Sequence, residues 1–195
     1  MGYRARRNGV DGVIMAGHGI NQKSPSYPHS VNGWSTAIGQ VPDASARVMR
    51  GSADCAFVAT NSQHTPVNRL RDTQNMLSTT IGSPGAGTVI NKIGEKTGHT
   101  GNTIISTNAS ITMTYFLNTS DQYSLVLSNL TSVNNKSGNT VRVFANNGDS
   151  GGIVYSYISS TNTRPALGII TAGSDTVACY SKASLINAAL GCVRY

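Results

Sequence analysis

The sequence predicts an all-β protein from its turn density, its short apolar runs and its small share of charged side chains. Glycine makes up 21 of 195 residues, and 12% of residues are charged against 38% hydrophobic. Such a composition suits many short strands joined by tight turns. Turn signals recur at Asn8-Gly9, Asp11-Gly12, Asn32-Gly33, Ser83-Pro84-Gly85, Gly101-Asn102, Ser137-Gly138 and Asn147-Gly148. Between them lie strand-like runs at Val13–Ala16, Ala56–Ala59, Thr88–Ile93, Ile111–Leu117, Tyr123–Leu130, Thr140–Ala145, Gly152–Ile158 and Ala166–Thr171, several alternating polar with apolar residues. One helix is expected over Lys182–Leu190, capped by Ser181 and stopped by Gly191. A chain of this length holds one or two small cores.

The stretch with most chemical content is Gly148-Asp149-Ser150-Gly151-Gly152. A serine among glycines can present its hydroxyl on a sharp turn with amide N–H groups beside it, the arrangement acyl transfer needs. Serine needs a histidine base, and the base needs a carboxylate that sets its tautomer. All four histidines, His18, His29, His64 and His99, precede Ser150. That order excludes the α/β-hydrolases, whose histidine follows the serine. It leaves the orders His-Asp-Ser and Asp-His-Ser, the second available from Asp11, His64 and Ser150.

Local context favours the first order. His18 ends the apolar run Val13-Ile14-Met15-Ala16-Gly17, so its ring emerges at a strand terminus. Asp54 heads the apolar run Cys55-Ala56-Phe57-Val58, where an unpaired carboxylate is costly. Asp11 instead sits in an Asp-Gly turn, and the chain lacks the alternating strands and long helices of an α/β protein. His29, His64 and His99 lie in polar loops and read as solvated side chains.

At Ala16-Gly17-His18, Asp54 and Gly148-Asp149-Ser150-Gly151-Gly152 the chain resembles the chymotrypsin-like serine peptidases, and most of all the small bacterial streptogrisin and α-lytic type. Gly94-Glu95-Lys96-Thr97-Gly98-His99-Thr100-Gly101-Asn102-Thr103-Ile104 looks like the segment that opens the second barrel of that type. Gly168-Ile169-Ile170-Thr171-Ala172-Gly173-Ser174 looks like its substrate-pairing strand, and Gly191–Tyr195 like its terminal apolar strand. The resemblance implies two packed antiparallel β-barrels of six-stranded type with a C-terminal helix, divided into 1–78 and 79–195 within one peptidase unit. It implies a triad of His18, Asp54 and Ser150, an oxyanion hole from the amides of Gly148 and Ser150, and substrate contacts at Thr171, Ala172, Gly173 and Asn147. Asp149 would be structural, paired with a cation for which Arg142 is the candidate. The expected substrate is a protein or peptide, the expected state a secreted monomer, and no cofactor is called for.

The primary pocket is expected from Phe144–Asn147 and Ile170–Ser174, which contain no acid to select Arg or Lys. Glutamate-specific relatives place a histidine where Ile170 stands, so an apolar preference is expected, with Asp175 close by. Relatives tie cysteines at the positions of Gly19 and Asn146, and both bridges are missing here. Of Cys55, Cys179 and Cys192, the only bridge to consider is Cys179–Cys192, and Cys55 reads as a core thiol. Only 17 residues precede His18, so the resemblance implies a trimmed first barrel. Four Asn-x-Ser/Thr sequons, at Asn108, Asn118, Asn129 and Asn135, are expected by chance in so Asn- and Thr-rich a chain.

A formal charge of +7 raises the question of nucleic acid. The clusters Arg4-Arg6-Arg7 and Lys92-Lys96 carry no interleaved aromatics, so no nucleic acid is expected. Neither metal-ligand spacing nor an apolar run of membrane-spanning length is present, so no metal and no membrane span are expected. The rival class is an inactive binding or adhesion module on the same fold.

Overall fold

The computed structural model describes residues 1–20, 28–29, 38–71, 73–116, 122–136 and 143–195. Among these residues thirteen strands and one α-helix follow in chain order: β1 Arg4–Arg7, β2 Val10–Met15, β3 Pro28–His29, β4 Gly39–Gln40, β5 Arg47–Arg50, β6 Ala53–Thr60, β7 Val89–Gly94, β8 Gly98–Phe116, β9 Gln122–Asn134, β10 Ile153–Tyr155, β11 Ala166–Gly173, β12 Val177–Lys182, α1 Ala183–Leu190 and β13 Cys192–Arg194. They form one seven-stranded sheet, ordered β13-β1-β2-β6-β4-β3 with β5 also on β6, and one closed barrel, β10-β11-β12-β9-β8-β7.

Sequence dictates the first sheet locally. Asn8 and Gly9 both take positive φ, 50° and 79°, and join β1 to β2 with the register Arg7↔Val10. Two consecutive positive-φ residues match the twist of a tight hairpin, and Asn-Gly reaches them at least cost. The residues ahead of His18 therefore form a complete hairpin. β13 returns from the chain end to pair with β1, Ala5 facing Arg194. Residues 192–194, beyond the boundary expected at 78/79, thus pair within the first sheet.

Other expected elements shift for identifiable reasons. The run Thr140–Ala145 is no strand in its described part, 143–145: the Phe144 carbonyl and the Ala145 N–H bond to side chains, and the Phe144 N–H to the single backbone carbonyl of Asn135. The run Gly152–Ile158 shortens to β10, and the runs around Ile111 and Tyr123 lengthen into the β8–β9 hairpin. Helix α1 begins one residue late. Lys182 occupies the N-cap without a side-chain capping bond, its ammonium donating to Asn129 Oδ1 instead, and Ser181 is fully buried elsewhere. The expected stop holds, since Gly191 is left-handed at φ 60° with its N–H on the Ala188 and Asn187 carbonyls.

The main core runs through both sheets. Ile14, Phe57 and Val58 pack with Ile153, Tyr155 and Ile169 and with Ala183, Ile186 and Leu190 of α1. A second cluster, with Ile90, Val133, Leu167 and Tyr180, fills the closed barrel. Arg194 fastens the ends of the chain. Its guanidinium donates from Nε and Nη2 to the Ser78 carbonyl (3.0 and 2.7 Å), from Nη1 to the Arg4 carbonyl (2.9 Å) and from Nη2 to Asn68 Oδ1 (2.9 Å). Burial pushes its pKa down to about 10. Lysine cannot reproduce this planar fork. Arg194→Lys should cost about 2 kcal/mol in urea unfolding, and an unchanged midpoint would show that the fork contributes nothing.

Candidate active site

The antiparallel register of β2 and β6, with Met15 opposite Ala56, carries the chain leaving β2 alongside Asp54. The backbone N–H of His18 donates to Asp54 Oδ1 at 2.9 Å, and His18 Nδ1 lies 2.5 Å from Asp54 Oδ2. Asp54 has no exposed surface, whereas the His18 side chain is 18% exposed. A buried carboxylate against Nδ1 favours the imidazole proton on that nitrogen. Arg47 Nε holds the Gly17 carbonyl at 2.8 Å, fixing the turn into His18.

Ser150 comes from the second half of the chain, in the turn before β10. That turn is closed by the Asp149 N–H on the Asn146 carbonyl (2.9 Å) and the Gly152 N–H on the Asp149 carbonyl (2.8 Å). Gly151, at φ 77°, lies so near the first sheet that a Cβ there would stand 3.0 Å from the Ala16 nitrogen. Only glycine permits both the angle and the approach. This contact sets the Ser150 turn against the residue two before His18. Among the described residues, the Gly148 and Ser150 amides donate to no protein acceptor, unlike those of Asp149, Gly151 and Gly152.

His18 and Ser150 line one cleft of about 510 Å³. Its further lining includes Ala145, Asn146 and Asn147, Ile170–Ser174, and residues not expected there: Ile111–Thr114 of β8 with Val177 and Cys179 of β12. Phe144 lies in the barrel core, and Asp175 is exposed on a turn outside the lining. β10 pairs with β11 only as far as Ile169, so the opposite edge of Thr171–Gly173 is unpaired among the described residues.

This architecture is shared with solved bacterial proteases. The chain superimposes on a Nocardiopsis protease with a TM-score of 0.66 at 20% identity, covering 99% of this chain and 90% of that one. Thermobifida fusca protease A gives 0.65 at 19% identity (100% and 89% covered), and a Cellulomonas bogoriensis chymotrypsin 0.62 at 19% (100% and 89%). This is the chymotrypsin-like double β-barrel. A serine protease described as specific for glutamic acid through a histidine triad in substrate binding matches equally well, at 0.65, 19% identity and 99% and 91% covered. No protein-family model and no curated protein sequence matches the chain.

In this double barrel the second buried acid is Asp149, 1% exposed. Oδ1 accepts the Lys96 and Thr97 amides at 2.8 and 3.1 Å, and Oδ2 accepts the Asn146 amide at 2.9 Å and the Thr97 hydroxyl at 2.7 Å. The cation is Lys92, with Nζ 3.3 Å from Oδ2 and bonded also to the Gly98 carbonyl (3.1 Å) and the Thr97 hydroxyl. Arg142, the expected partner, lies outside the described residues. Lys92 is fully buried, so it belongs to no surface cluster with the exposed Lys96. Lys92 stands opposite Thr100 across the β7–β8 hairpin, and the burial of its ammonium against Asp149 is a tertiary fact with no local signal. Gly94 is required here because a Cβ would collide with the Asp149 carboxylate.

The remaining expected residues fall elsewhere. Asp11 pairs with Arg6 at 2.7 Å, and His64 Nδ1 bonds Asn61 Oδ1 at 2.7 Å. His99 is no loop residue: it stands in β8 with Nε2 2.9 Å from the Tyr155 hydroxyl. The side chain of His29 lies outside the described residues. All three cysteines are free and buried. Cys179 packs with Leu127 and Leu130 while Cys192 packs in the main core, so the Cys179–Cys192 bridge does not form. Burial raises both thiols to about 11.

Burial alone would raise the Asp149 pKa, but the Thr97 hydroxyl, the Asn146 and Thr97 amides and Lys92 outweigh it and hold the carboxyl below its ordinary value. A depressed carboxyl stabilises the fold above its unfolded pKa, and that contribution disappears as pH falls through the folded value, below about pH 4. Lys92→Met removes one of the lowering influences. It should shift acid unfolding, followed by circular dichroism, to higher pH and cost about 3 kcal/mol at pH 7.

Proposed function

We propose that the chain is a serine endopeptidase working through His18, Asp54 and Ser150 and an acyl-enzyme intermediate. The observation that carries the reading is the buried Asp54 carboxylate holding both the backbone N–H and ring Nδ1 of His18 in the cleft that Ser150 lines. With the Nδ1 proton held, Nε2 takes the Ser150 hydroxyl proton as Oγ attacks the peptide carbonyl, then returns it to the leaving amine. Asp54 stabilises the imidazolium formed between these steps.

The uncommitted amides of Gly148 and Ser150 receive the charge that develops on the carbonyl oxygen, and one such donor contributes about 10²–10³ in turnover. Asp149 and Lys92 hold the turn that aims them. The free edge of Thr171–Gly173 pairs with the substrate as an added strand, and Asn147 flanks the bound chain. Among the described residues no acidic side chain and no Lys or Arg lines the cleft, so the residue before the scissile bond is apolar. Extracellular action as a monomer completes the reading, by likeness to the small bacterial peptidases. Among the described residues no helix is long and apolar enough to cross a membrane.

Intact mass after exposure to a fluorophosphonate should show one adduct on the parent and none on Ser150→Ala. A folded parent that takes no label refutes the enzyme reading in favour of the binding module. Asp54→Asn should lower kcat by about 10⁴-fold by losing the imidazole tautomer. In a fluorogenic peptide series, apolar residues before the cleaved bond should exceed Arg and Glu in kcat/KM by roughly 10²-fold.

A further inference from the structure

Asn135 follows the last residue of β9 and is 3% exposed. Its amide makes three hydrogen bonds: Nδ2 donates to the Ala145 carbonyl at 3.0 Å and to the Ser174 carbonyl at 2.6 Å, while Oδ1 accepts the Ala145 N–H at 2.8 Å. Its backbone adds two more, its N–H donating to the Thr176 carbonyl (2.9 Å) and its carbonyl accepting the Phe144 N–H (3.0 Å). Three of the five bonds end on 144–145 and two on 174–176. Ala145 and Ser174 both line the cleft, on its two walls.

Among the described residues no hydrogen bond runs directly between 143–147 and 171–177, and no cysteine is bridged. Asn135 therefore ties these two stretches together, beside the backbone pair that Gly151 and Gly152 make with Ile170. The chemistry demands asparagine: two donors and one acceptor on a single short planar group are found in no other side chain of that length. Aspartate would set a carboxylate against two carbonyl oxygens, and alanine would leave all three backbone groups without this partner.

We propose that Asn135 is a positioning residue that sets the width of the primary pocket and so the selectivity for the side chain before the scissile bond. It touches neither substrate nor triad and acts through Ala145 and Ser174. A wall displaced by a fraction of an ångström forfeits a quarter to a half of each dispersion contact with the side chain it holds. The proposal rests on the endopeptidase reading.

The test compares Asn135→Ala and Asn135→Asp with the parent in two reactions: labelling by a small fluorophosphonate that places no side chain in the pocket, and turnover of peptides carrying different apolar residues before the scissile bond. Asn135→Ala should lose about 10–100-fold in peptide kcat/KM, mainly through KM, and lose discrimination among the peptides, with labelling slowed far less. Asn135→Asp adds a signature that general loosening cannot supply. Burial beside two carbonyls raises the new carboxyl pKa, and its protonation restores one donor. The ratio of its peptide kcat/KM to that of the parent should therefore rise by about tenfold from pH 8.5 to pH 6. Labelling and peptide turnover falling together, with a pH-independent ratio for Asn135→Asp, overturns the pocket role. A parent that takes no label overturns the endopeptidase reading and this proposal together, and is distinguished by the parent's own result.

Discussion

Asp149 must be buried in the same turn that exposes Ser150, and the surroundings of its carboxylate explain much of the second barrel's local sequence. A carboxylate removed from water needs its lone pairs satisfied and its charge balanced. The Lys96 and Thr97 amides, the Asn146 amide and the Thr97 hydroxyl meet the first need, and Lys92 meets the second. Two segments far apart in sequence, β7 with the turn that follows it and 146–149, are thereby tied at one point. Among the described residues the Gly148 and Ser150 amides are left with no protein acceptor. Their availability follows from Asp149 drawing the neighbouring donors inward.

The other constraint is the contact between the two sheets. Asp54 belongs to the first sheet, His18 to the turn that follows its strand β2 and Ser150 to the turn before β10, so a shared cleft exists only if those elements meet closely. Gly151 against Ala16 supplies the near approach, and the core continuous from Phe57 to Ile169 and Ile186 maintains it. Behind Asp54, its own N–H donates to the Ser181 hydroxyl at 3.3 Å, and Ser181 bonds Thr171 at 2.8 Å. This buried chain links the acid of the first sheet to the strand edge assigned to substrate. It also explains why Ser181 caps no helix.

Much of the candidate site was legible because its parts are local. A histidine at the end of an apolar run, a carboxylate heading another and a serine between glycines each carry their context within five or six residues. The first hairpin was equally legible, since Asn8-Gly9 specifies its turn. Chain order sufficed to exclude the α/β-hydrolases and left only two arrangements to weigh. Lys92 and Asn135 had no such context. One looked like a surface charge and the other like a chance sequon, because the burial and partners that define them come from residues far along the chain.

By itself the sequence determined the all-β class, the strand-ending position of His18, the burial of Asp54 and the glycine turn around Ser150, all consequences of short-range patterning and backbone sterics. Tertiary structure alone decided that Lys92 is the cation beside Asp149, that Ser181 supports Asp54 rather than α1, that β13 closes onto β1 and that Asn135 joins the pocket walls. Each of these depends on pairing across long loops. A residue's partners there are set by how whole sheets pack, and its neighbours in sequence hold no record of them.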